Sequence, residues 1–162
     1  MADLYVACRE GVYRSLITVG LDPARAQETA QDAFLRLYVQ LRDGAEIENP
    51  RAWVYRVAHN IGVDTLSRDA RESVMPDGFA DSLASDHRSA EDELIGKEWT
   101  DRVQRAIRKL STQQRLCLEL RAEGLRYQEI AEVLQIRPST VGEFLRRAIR
   151  QLRKWNLCDQ DR

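Results

Sequence analysis

The sequence predicts an all-α protein: two small helical domains joined by a flexible linker, the C-terminal one a helix-turn-helix. Three observations carry this. Apolar residues recur at helical spacing along most of the chain, and strand-like alternation is nearly absent. Two cap-plus-proline pairs, Asp22-Pro23 and Asn49-Pro50, mark helix starts. Charge is also partitioned: residues 1–72 carry net −2, residues 73–98 carry −5 and residues 99–162 carry +6. A length of 162 residues suits two small domains, and the basic end points to a polyanionic partner.

The elements follow in order. After Asp22-Pro23, the run ETAQDAFLRLYVQL places Ala30, Phe34, Leu37, Tyr38 and Leu41 on one face, until Asp43-Gly44 breaks it. The helix after Asn49-Pro50 has Trp53, Val57, Ile61 and Leu66 as its apolar residues. Between Ser73 and Ser89, Pro76, Gly78, serines and aspartates with little apolar material read as the linker. In the second module Trp99, Val103, Ala106, Ile107 and Leu110 make a stripe, and Ser111 with Gln114 is a capping-box signature. Gly124 ends the next helix. Then come YQEIAEVL, a short turn at QIRP, and STVGEFLRRAIRQLRKW. Small Ala131 at the expected point of approach completes a helix-turn-helix pattern.

In the last helix Val141, Leu145, Ala148, Ile149 and Leu152 form one stripe, with Phe144 at its edge. The opposite face carries Glu143, Arg146, Arg147, Arg150 and Arg153. Arginine forks grip phosphates or read guanine, and a glutamate can accept from cytosine. Pro138 at the first helical position leaves Ser139, Thr140 and backbone amides to meet a phosphate. A solvated face laced with pairs such as Glu143–Arg147 competes with this reading.

Several classes are excluded or disfavoured. No apolar run is long enough for a membrane span, and MADLYVACREG does not resemble a secretion signal. Cys8, Cys117 and Cys158 are odd in number and without a CxxC pair, which fits free thiols in a reducing cytoplasm. No phosphate loop, metal-ligand spacing or nucleophile arrangement is present, and His59 and His87 are isolated; an enzyme is disfavoured and neither cofactor nor metal is implied. His59, beside Asn60, is expected at a polar surface.

The segment LSTQQRLCLELRAEGLRYQEIAEVLQIRPSTVGEFLRRAI resembles both the DNA-binding domain of LuxR-type regulators and the fourth region of sigma factors. The N-terminal half separates them. DPARAQETAQDAFLRLYVQL followed by NPRAWVYRVAHNIGVDTLSRDAR resembles the second region of an extracytoplasmic-function (ECF) sigma factor of the sigma-70 family, whereas a receiver domain would need strands. The resemblance implies a cytoplasmic protein, not an enzyme, that binds core RNA polymerase, directs it to promoter DNA and helps open the duplex. It implies residues 1–72 as region two, 73–98 as an acidic linker and 99–162 as region four. Core polymerase would be gripped by Glu28, Gln31, Asp32, Leu35 and Arg36. The minus-ten element would be met by the loop from Asp43 to Asn49, with Trp53, Arg56 and Asn60 behind it and Arg68 and Arg71 upstream. The minus-thirty-five element would be read by Ser139, Thr140, Glu143, Arg146, Arg147 and Arg150. Many such proteins are held by an anti-sigma factor, a further expected partner.

Independent chemistry supports these roles. An acidic face such as Glu28 and Asp32 pairs with a basic partner helix. A base pulled from the stack needs a polar pocket, and Asn60 can make paired hydrogen bonds to a base edge. Trp53 has a competing role as core. Two features depart from the family pattern. Asp64–Glu72 carries net −1 rather than an arginine cluster, and Gly142–Phe144 lacks a basic residue. Minus-thirty-five binding is therefore expected to dominate promoter affinity. The linker is expected either as a solubilising tether or as an acidic occupant of a basic polymerase channel. It also permits a closed arrangement in which both DNA-reading faces are hidden.

Overall fold

A computed structural model describes residues 2–72 and 103–158. The expected linker, 73–98, lies outside the described residues, as do Trp99 and His87. The described elements are all helical: α1 (Ala2–Val19), α2 (Pro23–Arg42), α3 (Pro50–Glu72), a helical stretch at 103–108 (α4), α5 (Thr112–Ala122), α6 (Tyr127–Leu134) and α7 (Pro138–Cys158). Helices α1, α2 and α3 pack on one another, as do α5, α6 and α7. The two groups also meet, α1 against α5 and α3 against α6.

The caps arise from local chemistry. Asp22 Oδ1 accepts from the Arg25 amide at 3.1 Å, with Pro23 opening α2. Asn49 Oδ1 accepts from the Ala52 amide at 3.1 Å and starts α3. Ser111 Oγ accepts from the Gln114 amide at 3.3 Å, while Gln114 Oε1 accepts from the Ser111 amide at 3.1 Å, a complete capping box. At the end of α5, Gly124 takes φ 88°, a left-handed conformation that glycine adopts without a steric penalty.

Apolar phasing is partly as expected. On α2, Ala30, Phe34 and Leu37 are buried together with Ala26 and Ala33. Tyr38 and Leu41 instead point outward; Tyr38 is 51% exposed. On α3 the deeply buried positions are Val54, Tyr55 and Ala58, whereas Trp53, Val57 and Leu66 pack at the core's edge. That helix contacts α1, α2 and α6, so its burial is not confined to one stripe. On α7, Val141, Leu145 and Ala148 are buried, Phe144 packs at the edge, and Ile149 remains 43% exposed.

Helix α1 has no counterpart in the expected elements. Its Cys8, Val12 and Leu16, spaced four apart, are completely buried. Between them Gly11 sits where a Cβ would lie 2.1 Å from the Tyr55 hydroxyl and 2.6 Å from Glu123 Cδ. Alanine would raise helix propensity by about 1 kcal/mol, yet the Tyr55 ring is fixed in the core at 1% exposure. Overpacking costs about 1–3 kcal/mol and should win. Gly11→Ala is expected to lower the urea midpoint; a raised midpoint would mean that Tyr55 can retreat.

Candidate nucleic-acid interface

The helix-turn-helix is built by α6, a tight turn and α7. Gln135 ends α6 in the left-handed conformation, φ 54°, and the Ile136 amide returns to the Ala131 carbonyl at 3.0 Å. Ala131 is buried at this approach, as expected. Pro138 opens α7. Ser139, Glu143, Arg146, Arg147 and Arg150 are exposed and Thr140 is half-exposed. Glu143 and Arg147 form the i,i+4 ion pair, and Arg146 Nε donates to the Gly142 carbonyl at 3.2 Å. A Cβ on Gly142 would lie 3.5 Å from the Tyr127 ring, an ordinary contact.

Glu28, Gln31, Leu35 and Arg36 are exposed on α2, with Asp32 half-buried beside them. Asp32 and Arg36 pair at 2.9 Å. Leu35 is 61% exposed, and with Tyr38 it forms an apolar ridge flanked by charge. Such a face suits a partner helix that offers apolar and basic groups. Behind Gln31 lies a groove of about 260 Å³ between α1 and α2, lined by Tyr5, Arg9, Tyr13 and Phe34 among others.

The α3 residues have a different setting, because α6 lies over them. The Asn49 amide nitrogen donates to Glu129 Oε1 at 2.6 Å. Arg56 and Glu132 pair at 3.6 Å. Gln135 Nε2 donates to Asn60 Oδ1 at 3.0 Å. Trp53 is half-buried at the core edge. Arg68 and Arg71 are exposed near the end of α3 and stand apart from this cluster; Arg68 Nε donates to the Asp64 carbonyl at 3.4 Å.

Several polar groups at this junction were not legible as functional in the sequence. Arg51 donates to the Glu123 carbonyl, and Arg14 Nη2 donates to Glu123 Oε1 at 3.2 Å. Thr18 Oγ1 donates to Glu119 Oε1 at 2.9 Å. A glycine inside the α1 segment was the available signal of a close approach there. His59 is half-buried rather than at a polar surface, and burial holds its pKa below the usual histidine range. Burial, and then the Glu123 charge, push the Tyr55 phenol well above its usual value. Among the described residues no group of His, Cys, Asp and Glu is arranged to hold a metal ion, and no helix is long and apolar enough to cross a membrane.

Burial raises the Glu119 carboxyl above the usual glutamate range, against the lowering effects of Thr18, Arg115 and Arg14. A raised folded-state pKa means that the folded protein holds the proton more tightly than the unfolded chain. Its stabilising contribution is therefore present at low pH and is lost as pH rises from about 4.3 through the folded value. Glu119→Gln keeps an acceptor for Thr18 and removes the titration. Between about pH 4 and pH 8, the wild-type urea midpoint should fall relative to that of the variant; parallel profiles would refute this assignment.

The Sigma-70 region 2 family model matches residues 4–72, and the Sigma-70, region 4 model matches residues 100–152. The ECF RNA polymerase sigma factor SigK of Mycolicibacterium vanbaalenii is 29% identical over 161 residues, covering 94% of this chain and 80% of the relative. SigW of Bacillus subtilis, also an ECF RNA polymerase sigma factor, is 26% identical over 168 residues, covering 94% and 87%. The fold is similar to that of the sigma factor RpoE solved with the anti-sigma factor NepR from Bartonella quintana. That match has a TM-score of 0.68 and 18% identity over 98% of this chain and 96% of the other. It is also similar to CnrH solved with the cytosolic domain of CnrY, with a TM-score of 0.55 and 22% identity over 99% and 88%. Both sigma-70 regions are matched in order on one chain, and relatives align over nearly its whole length: the chain belongs to the sigma-70 family, in its ECF branch.

Proposed function

We propose that this protein is a promoter-specificity subunit of RNA polymerase, which binds core polymerase and directs promoter recognition, DNA opening and transcription initiation. The observation that carries the reading is the ordered pair of matches, region 2 at residues 4–72 and region 4 at 100–152. On this reading residues 1–72 bind core and the minus-ten element, 73–98 form a linker, and 99–162 bind the minus-thirty-five element. The protein acts in the cytoplasm, where polymerase acts, and performs no catalysis of its own.

Core polymerase docks on the exposed α2 face of Glu28, Gln31, Asp32, Leu35 and Arg36, where apolar and charged groups alternate. The flipped non-template base is taken by the segment ending at Asn49, with Arg56 and Asn60 supplying polar contacts and Trp53 bracing the wall. Arg68 and Arg71 meet the upstream backbone. In the second half Ser139 and Thr140 position a phosphate at the start of α7, and Glu143, Arg146, Arg147 and Arg150 face the major groove. An anti-sigma factor is the expected regulatory partner. Both structural relatives were solved in complexes, RpoE with an anti-sigma factor and CnrH with the cytosolic domain of CnrY.

The test mixes the full chain with core polymerase on fork-junction templates carrying selected promoter sequences. Co-purification with core and promoter-dependent initiation are expected. Tight operator-like binding to duplex DNA by the free protein, without any association with core, would overturn the reading in favour of a stand-alone repressor or activator.

A further inference from the structure

Helix α1 carries two stripes. Cys8, Val12 and Leu16 are fully buried and fill the core. Tyr5, Arg9 and Tyr13, also spaced four apart, form a second stripe along the groove shared with α2. From the other side α2 presents Gln27, Gln31 and Phe34 to the same space of about 260 Å³. Ala30 lines the groove with only a methyl group, which leaves that space open.

The lining is chemically mixed. Buried Phe34 supplies an aromatic floor, and Tyr5 packs edge-on against it with ring centroids 4.9 Å apart at 74°. Half-buried Tyr13 adds another aromatic surface. Arg9 and its neighbour Glu10 both line the groove, yet they pair neither with each other nor with any other described residue. Gln27 and Gln31 stand one helical turn apart, and their carboxamides likewise have no hydrogen-bond partner among the described residues.

Adjacent opposite charges that stay apart suit a ligand carrying both signs. Its carboxylate would meet the Arg9 guanidinium and its ammonium the Glu10 carboxylate. The aromatic walls call for a flat apolar ring. The space is smaller than the roughly 300–1,000 Å³ of sites for drug-sized molecules, so the ligand is small. A nucleotide would bring anionic groups alone and would be repelled by Glu10.

We propose that the groove between α1 and α2 binds a zwitterionic aromatic amino acid, and that this ligand competes with core polymerase. Competition follows from Gln31, which lines the groove and also belongs to the α2 face assigned to polymerase. The second half of the proposal rests on that assignment; the first half does not.

The test titrates the full chain with L-phenylalanine and follows backbone amide chemical shifts. Saturable shifts confined to residues 5–13 and 27–34 are expected, with a Kd of about 0.1–1 mM. N-acetyl-phenylalaninamide keeps the ring, lacks both charges and should bind about tenfold more weakly. L-leucine keeps the charges without the ring and should also bind more weakly. Arg9→Gln and Glu10→Gln should each weaken phenylalanine binding about two- to fivefold. Phenylalanine at ten times its Kd should weaken association of the wild type with core about tenfold. Arg9→Gln should bind core normally without ligand and respond less to it. Shifts that do not saturate, or that lie elsewhere, overturn the site. Equal binding of N-acetyl-phenylalaninamide overturns the zwitterionic ligand. Binding that leaves core association unchanged overturns the competition while the site stands. Wild type that fails to bind core in the absence of ligand overturns the functional reading and leaves the site in place.

Discussion

Arg146→Ala and Arg147→Ala are each expected to weaken holoenzyme binding to the minus-thirty-five element about ten- to hundredfold, the range of a lost bidentate base contact. Both guanidinium groups lie on the exposed face of α7, opposite buried Val141, Leu145 and Ala148. Arg147 forms an exposed i,i+4 pair with Glu143, which is worth a few tenths of a kcal/mol and yields readily to a groove contact. A salt series of anisotropy titrations separates two roles. An arginine on phosphate lowers the salt slope by about one and weakens all sequences alike. An arginine on a base relaxes preference at one position. Glu143→Gln completes the series: relaxed preference at a single position marks a base contact, whereas unchanged preference with a small affinity shift marks a residue that only steadies Arg147. Because the end of α3, Asp64–Glu72, carries net −1, the arginine losses on α7 should exceed those from Arg68→Ala or Arg71→Ala. Undiminished promoter binding by an Arg146/Arg147 double variant would remove α7 as the reading element.

Ile130→Ala should cost about 2–5 kcal/mol of stability. Ile130 is fully buried in α6, a helix of only 8 residues. So short a helix is not stable alone in water; it persists because α3, α5 and α7 pack around it. Removing the Ile130 side chain opens a cavity where those elements converge, so the loss should be felt as cooperative unfolding. Ile149→Ala, at a position 43% exposed, should cost less than about 1 kcal/mol. Urea midpoints for the two variants make the comparison. Equal costs would mean that the second half relaxes around Ile130 and that α6 is held by other contacts.

Local chemistry made most of the elements legible. Asp22-Pro23, Asn49-Pro50, the Ser111–Gln114 box and Gly124 each act within three or four residues, so a linear reading captures them. Helix α1 lacked such a marker, although Cys8, Val12 and Leu16 carried the spacing of a buried face. The burial of α3 departs from the expected stripe for a physical reason: Val54, Tyr55 and Ala58 are the deeply buried positions, while Trp53, Val57 and Leu66 pack at the core edge. A helix with neighbours on more than one side does not reveal a single stripe. On α2, Tyr38 and Leu41 share the apolar character of the core residues, and only their position outside the α1–α3 packing leaves them facing outward.

The sequence by itself determined the helical class, the helix-turn-helix, the placement of arginines on one side of α7, and the family resemblance. All of these depend on spacings of a few residues or on recurring motifs. The tertiary structure alone decided that Asn49 meets Glu129 across 80 positions and Asn60 meets Gln135 across 75. Side chains that far apart in sequence meet only because the packing of α3 against α6 brings those parts of the chain together. The residues read as facing DNA are equally able to face the chain's own carboxylates and amides, because both partners offer the same donors and acceptors.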